Sequence, residues 1–283
     1  MPTNQVSIDR ITVSGKLKAE YRELQRVMNA LGSSWELSDG VFRLIREYPN
    51  GDTENIAYYA ENAFQVGSWR LDFNPNKLSD EEKLEMNRAI DLLTDVHFTR
   101  LDLAFDVFNN ELGMKYRIYR PSVSQREYVV YTAQWTKAVE TIYYGSNSSE
   151  QQIRQYNKLV EQTKKKMPLP DGVEHWMRLE LQLRGRKPAE WVERAKGMLD
   201  DFRLPNYDRI QNKNDRMALF SLENGLLDWS DFSDKNKKAR LRKLQKEQYD
   251  DTLAQELLDL LIAHQERLHG ELTSYLAEFD IQE

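Results

Sequence analysis

The sequence predicts an α+β protein: a mostly antiparallel central sheet with covering helices, followed by an all-helical C-terminal region. Three observations carry that expectation. Short apolar/polar alternations bounded by turn residues recur up to Gly185, the period of a half-buried strand. Beyond Gly185 the apolar period lengthens to that of a helix. The composition, with 40% hydrophobic and 30% charged residues and only 12 Gly and 8 Pro in 283, supplies a core and excludes broadly disordered or repetitive chains.

In chain order, VSIDRITVSG, FRLIREY, IAYYA, WRLDFN, VHFTRLDLAFDVF, REYVVYT, TIYYG, QIRQYNKLV and WMRLELQLR read as strands. Two helices interrupt them. The first is marked by Leu17, Tyr21, Leu24, Met28 and Leu31 and closed by Gly32; the second is opened by Ser79 with Glu82 three residues on, the spacing of a capping box. After Gly185, KPAEWVERAKGMLDDF places Pro188 in a first helical turn, and NDRMALFSLENGLL continues the helical period. The last helix runs from about Asp251 to Phe279. It aligns Leu253, Leu257, Leu260, Leu261, His264, Leu268, Leu272, Tyr275 and Phe279 in one stripe, to be buried on the body of the protein in preference to a dimer interface. The expected division is a sheet-based domain over residues 1–186 and a helical region over 187–283.

Several chemistries are excluded. With no Cys there are no disulfides, thiol nucleophiles or thiolate metal sites. GxxxxGK[ST] and HExxH are missing, against an ATPase or a metalloprotease, and the four histidines, His97, His175, His264 and His269, include no pair separated by one residue. No apolar run approaches the roughly 18 residues of a membrane span, and the polar start MPTNQVSIDR does not read as a signal peptide. The expected location is the cytoplasm. The chain has 40 basic and 46 acidic residues, net −6, so any polyanion must be met by a local basic surface. KNKKARLRKLQK provides one candidate: Lys235, Lys237, Lys238, Arg240, Arg242, Lys243 and Lys246 with no acid among them.

Alternation also sorts the candidate chemistry. In TRLDLAFDVF, Arg100, Asp102, Ala104 and Asp106 share a face opposite Leu101, Leu103, Phe105 and Val107; in WMRLELQLR, Arg178, Glu180, Gln182 and Arg184 oppose three leucines. Neighbouring strands would bring Asp102, Asp106 and Glu180 together as hard oxygen ligands for Mg²⁺ or Mn²⁺, with Arg178 and Arg184 available to a phosphate. TIYYGSNSSEQQIRQYNKLVEQ reads as a hairpin on which Tyr156 lies between Arg154 and Lys158.

Four segments in order, NPNKL (Asn74 to Leu78), TRLDLAFD (Thr99 to Asp106), YGSNSSEQQIRQYNK (Tyr144 to Lys158) and RLELQLR (Arg178 to Arg184), resemble the Rep_trans family of rolling-circle plasmid replication initiators. The resemblance covers roughly residues 67 to 186. It implies that Tyr156 is the nucleophile, aided by Arg154, Lys158 and Arg178, and that Asp102, Glu180 and, less centrally, Asp106 serve a divalent metal. The implied reaction nicks one strand of a double-stranded replication origin, leaving a 5′-phosphotyrosine adduct and a free 3′-OH, and later rejoins the strand. A homodimer and a host replicative helicase are the implied partners, with no membrane. The basic run 235 to 246 is the expected origin-recognition surface, within a helical region for recognition and dimerisation. A relaxase of a conjugative element shares this chemistry, and a non-catalytic DNA-binding regulator is the non-enzymatic alternative.

Overall fold

The computed structural model describes residues 2–62, 65–119, 128–134 and 138–276. Its elements are β1 (Gln5–Leu17), α1 (Leu24–Leu31), β2 (Trp35–Ser38), β3 (Val41–Glu47), β4 (Thr53–Glu61), β5 (Ser68–Phe73), α2 (Asp80–Asp91) and β6 (Leu93–Phe108). They continue with β7 (Arg117–Ile118), β8 (Tyr128–Thr132), β9 (Val139–Tyr144), β10 (Gln151–Asn157), α3 (Lys158–Lys164) and β11 (Trp176–Arg184). The chain then forms α4 (Trp191–Asp200), β12 (Phe202–Arg203), α5 (Lys213–Glu223), α6 (Lys235–Gln248) and α7 (Thr252–Thr273).

Among the described residues, ten strands form one sheet in the order β2-β3-β4-β5-β1-β6-β11-β10-β9-β8, and every pairing is antiparallel. The expected α+β class is the observed one. Alternation gives the sheet two unlike faces. Ile11, Val13, Leu71, Phe73, Leu101, Leu103, Phe105, Leu179, Leu181 and Leu183 are buried in a core shared with residues of α1, α2, α4 and α7. Helices therefore cover that face, and the charged face opposite carries the candidate chemistry.

Residues after Gly185 contribute to two cores. Leu253, Leu257, Leu261, Leu268 and Leu272 of α7, with Trp191, Ala195, Met198 and Leu199 of α4, belong to the core beneath the sheet. Full burial of each leucine contributes about 1.5–3 kcal/mol. Tyr275 closes the end of α7 edge-on against Phe73, with ring centroids 5.0 Å apart, while Phe279 lies outside the described residues. A second, smaller core forms from Ile210, Ala218, Leu219, Phe232, Leu241 and Tyr249. The segment containing α5 and α6 thus has a small core of its own.

Local expectations fare unevenly. Ser79 and Glu82 form the capping box that starts α2. The first helix begins at Leu24, not Leu17, because Leu17 is still paired with Leu93 in the β1–β6 ladder. QIRQYNKLV changes element within itself: the Asn157 side chain accepts a hydrogen bond from Val160 N, which ends β10 and caps α3. Of REYVVYT, Arg126 and Glu127 lie outside the described residues. In the β9–β10 turn, Gly145 has φ +92°, a conformation disfavoured with a side chain, and an added Cβ would lie 3.0 Å from Gln151 O.

Candidate active site

Register fixes which charged residues meet. The β10–β11 ladder pairs Arg154 with Glu180 and Tyr156 with Arg178, and the β11–β6 ladder pairs Arg178 with Asp106, Glu180 with Ala104 and Gln182 with Asp102. All of these side chains leave the sheet on its charged face.

At the centre, Tyr156 donates its phenolic hydrogen to Glu180 Oε1 at 2.7 Å. Glu180 Oε2 accepts from Arg154 Nη2 at 2.6 Å, and Arg178 Nη1 lies 3.9 Å from Oε1. The Arg154 guanidinium sits over the tyrosine ring, 4.5 Å from its centroid. Lys158 has left the strand for the first position of α3, yet its Nζ returns to within 3.4 Å of the Tyr156 hydroxyl and also bonds Glu161 at 2.5 Å. Arg154, Tyr156, Lys158, Arg178 and Glu180 therefore form one constellation. Tyr156 borders a cleft of about 190 Å³ with Thr141, Tyr143, Arg154 and Lys164.

Burial, and next the negative charge of Glu180, push the phenol of Tyr156 well above the ordinary tyrosine range, while Arg178 and Arg154 act in the opposite sense. The group stays protonated at neutral pH and needs a base in contact with it. Burial opposes the charged form of Glu161, but its hydrogen bonds from Lys158 and Lys165 prevail and hold that carboxyl at about 2, so it is an anion that steadies Lys158.

The three expected metal ligands share the face but do not converge. Asp102 is gripped by Arg100 at 2.6 and 2.9 Å and by Gln182 at 3.2 Å. Asp106 takes a two-pronged contact from Arg178 at 2.7 and 2.8 Å and a bond from Trp176 Nε1 at 2.6 Å. Glu180 is committed to Arg154 and Tyr156. Among the described residues no three His, Cys, Asp or Glu side chains are grouped so as to hold a metal ion. As placed, this donor set does not fit a divalent cation, because an arginine already satisfies each carboxylate.

Asp9 is a member of the site that alternation did not reveal. The β1–β6 register shifts between Ile8 and Arg10, so Asp9 is the extra residue of a bulge, and its carboxylate reaches Arg178 Nη1 at 2.9 Å. The sequence signal is the adjacent pair Asp9–Arg10 interrupting an otherwise alternating strand.

The basic run forms α6, as its spacing predicts. Several of its cations have structural partners: Arg240 with Asp215 at 2.7 Å, Lys246 with Asp200 at 2.6 Å and Lys243 with Glu247 at 3.7 Å. Lys237 lies over the Phe232 ring and Arg242 over that of Trp229, each 4.9 Å from the centroid. Lys235 and Lys238 have no ion-pair partner among the described residues.

Comparison with known proteins adds an independent line. A family model described as Rep_trans, replication initiation factor, matches residues 96–254, reaching further into the helical segment than the sequence motifs do. A replication initiation protein of Staphylococcus aureus is 27% identical over 98% of this chain and 87% of its own length. Another from the same organism is 31% identical over 57% of this chain and 49% of its own. Among solved structures, a rolling circle replication initiator protein from Geobacillus stearothermophilus is 16% identical with a TM-score of 0.43, covering 75% of this chain and 90% of that one.

Proposed function

Because the chain belongs to the Rep_trans family of replication initiation factors, we propose that it starts rolling-circle replication of a plasmid by nicking one strand of the double-stranded origin with Tyr156. One observation carries this reading: the Tyr156 hydroxyl is bonded to Glu180, with Lys158 Nζ beside the hydroxyl, Arg154 over the ring and Arg178 near the same carboxylate. Tyr116 and Tyr119 also donate to carboxylates, so it is the cations gathered beside the carboxylate that set Tyr156 apart.

The step balances with these residues and one proton from solvent. As Tyr156 Oη attacks the phosphorus, its proton passes to Glu180 Oε1, already in hydrogen-bond contact. The Oη–P bond forms and the P–O3′ bond breaks, leaving a 5′-phosphotyrosine and a 3′ oxygen that takes a proton from solvent. Arg154, Lys158 and Arg178 neutralise charge building on the phosphoryl oxygens. The phosphotyrosyl link keeps the energy of the phosphodiester, so attack by a 3′-OH reverses the step and rejoins the strand.

Duplex origin recognition belongs, in this reading, to α6, where Lys235 and Lys238 remain for phosphates, with a second copy of the chain and a host helicase as partners. The α7 stripe is consumed by the fold, so a dimer must use another surface. Met217 and Phe220 of α5, with Leu226 and Leu227 just after it, are exposed apolar groups that could serve.

The test is incubation of the wild type and Tyr156→Phe with supercoiled plasmids bearing candidate origins, with Mg²⁺, Mn²⁺ or chelator, followed by denaturing gels. A nick with a covalent protein–DNA adduct, both lost in the variant, is the expected result. Nicking by the variant overturns the assignment. Activity that survives chelation places charge neutralisation on the three cations; a strict need for Mg²⁺ or Mn²⁺ shows that the carboxylate–arginine pairs open to admit the ion.

A further inference from the structure

A broad concavity on the charged face lies away from Tyr156. It is a groove of about 620 Å³ lined by β3, β4, β5, β1, β6 and the end of β11. Its walls carry six cationic side chains, Arg10, Lys16, Arg43, Arg70, Arg100 and Arg184, against two carboxylates, Asp72 and Asp95. Both carboxylates are already paired, Asp72 with Arg10 at 2.7 Å and Asp95 with Lys16 at 3.1 Å. Arg100 is held by Asp102. Three guanidiniums are left without a carboxylate among the described residues.

Among the described residues, the Arg43 side chain donates to the carbonyl of Ser38, at 3.2 Å, and to no carboxylate. Arg70 is exposed, on the ladder position between Ser14 and Ala60. Arg184 is held by the carbonyls of Asn147 and Ser149 and by Gln182, and burial together with the adjacent charge of Arg100 lowers its pKa. In a chain of net charge −6, this is a concentrated positive field with unused hydrogen-bond donors, an arrangement that attracts a polyanion.

An aromatic side chain narrows the choice. Tyr58 is 41% exposed and stands directly opposite Arg43 in the β3–β4 ladder. An exposed ring beside guanidiniums stacks on an unpaired base while the cations follow the backbone; in a duplex the base faces are already stacked on one another. The groove spans five strand spacings from β11 to β3, on the order of 24 Å, the length of several nucleotides. It also shares the sheet face with Tyr156, which lies about 20 Å away along β11.

We propose that this groove is a track for single-stranded DNA, with Arg43, Arg70 and Arg184 on the phosphates and Tyr58 stacked on a base. It would hold the unpaired strand whose scissile phosphate reaches Tyr156. Naming DNA as the polyanion rests on the nicking function proposed above; the charge and shape of the groove do not.

Fluorescence anisotropy of a labelled oligo(dT) strand, and of the same strand annealed to oligo(dA), tests the track across a salt series. For an Arg43→Ala/Arg70→Ala double variant the expected result is about tenfold weaker single-strand binding and a salt slope shallower by about 1.4, with duplex binding little changed. Tyr58→Leu should cost roughly tenfold with an unaltered salt slope. Arg70→Lys, which keeps the charge, should retain most of the affinity, and unchanged thermal melting confirms that the variants fold. Wild-type affinity in both Ala and Leu variants, or equal losses for single strand and duplex, overturns the proposal. Adduct formation on cleavable strands is scored separately. Groove variants that lose oligo(dT) binding in a protein forming no adduct support the track and refute the nicking chemistry; a normal adduct with oligo(dT) binding unaffected in those variants does the reverse.

Discussion

Tyr156 is a less acidic phenol than free tyrosine, since burial and Glu180 both disfavour its anion. In the proposed reaction, its nucleophilicity therefore comes from proton transfer in the step itself. Glu180→Gln keeps an acceptor oxygen for the phenol but removes the base. Adduct formation should fall by about a hundredfold to ten-thousandfold, measured as single-turnover adduct yield, with oligonucleotide affinity nearly unchanged; wild-type rates in this variant would show that the proton goes elsewhere. Much of this constellation was legible in the sequence, because side chains two residues apart in a strand share a face and Arg154, Tyr156, Arg178 and Glu180 obey that rule. Two features were not legible. Asp9 reaches the site through a bulge, which breaks alternation. The separation of Asp102, Asp106 and Glu180 reflects the choice each carboxylate makes of a neighbouring arginine, a pairing set by ladder register and absent from any one segment.

At the level of elements, the sequence is most readable where a local chemical rule decides the outcome, as in the Ser79/Glu82 box that opens α2. It is least readable where ladder pairing overrides local periodicity, as at Leu17, or where a single cap converts strand to helix, as at Asn157. The second conversion has a chemical consequence: it turns Lys158 from a strand residue into the first residue of a helix, aimed back at the tyrosine. Helix α6 was legible as a charged helix, but not the sharing of its cations with Asp215, Asp200 and two aromatic rings. Lys235→Ala/Lys238→Ala should weaken binding to duplex origin DNA and reduce the salt slope by about 1.8. An unchanged slope in that double variant would remove α6 from the duplex-binding surface.

For the molecule as a whole, one core joins the sheet to α4 and α7, while the small core around Leu219, Leu241 and Tyr249 stands apart. The change of period at Gly185 was visible, but periodicity reports the element type and not which surface covers it. Leu257→Ala should therefore destabilise the sheet itself, by about 2–5 kcal/mol in chemical denaturation, with loss of hydrogen-exchange protection in β1 and β6. Loss confined to the C-terminal helices would contradict a shared core. The charged face left open by this arrangement is the surface on which we propose strand capture and nicking, with Tyr156 as the proposed reacting group. The most direct measurement is mass spectrometry of the protease-digested adduct formed on an origin strand. The expected result is a nucleotide phosphate linked to the peptide containing Tyr156. Linkage to another of the 14 tyrosines, or an adduct still formed by Tyr156→Phe, would contradict it.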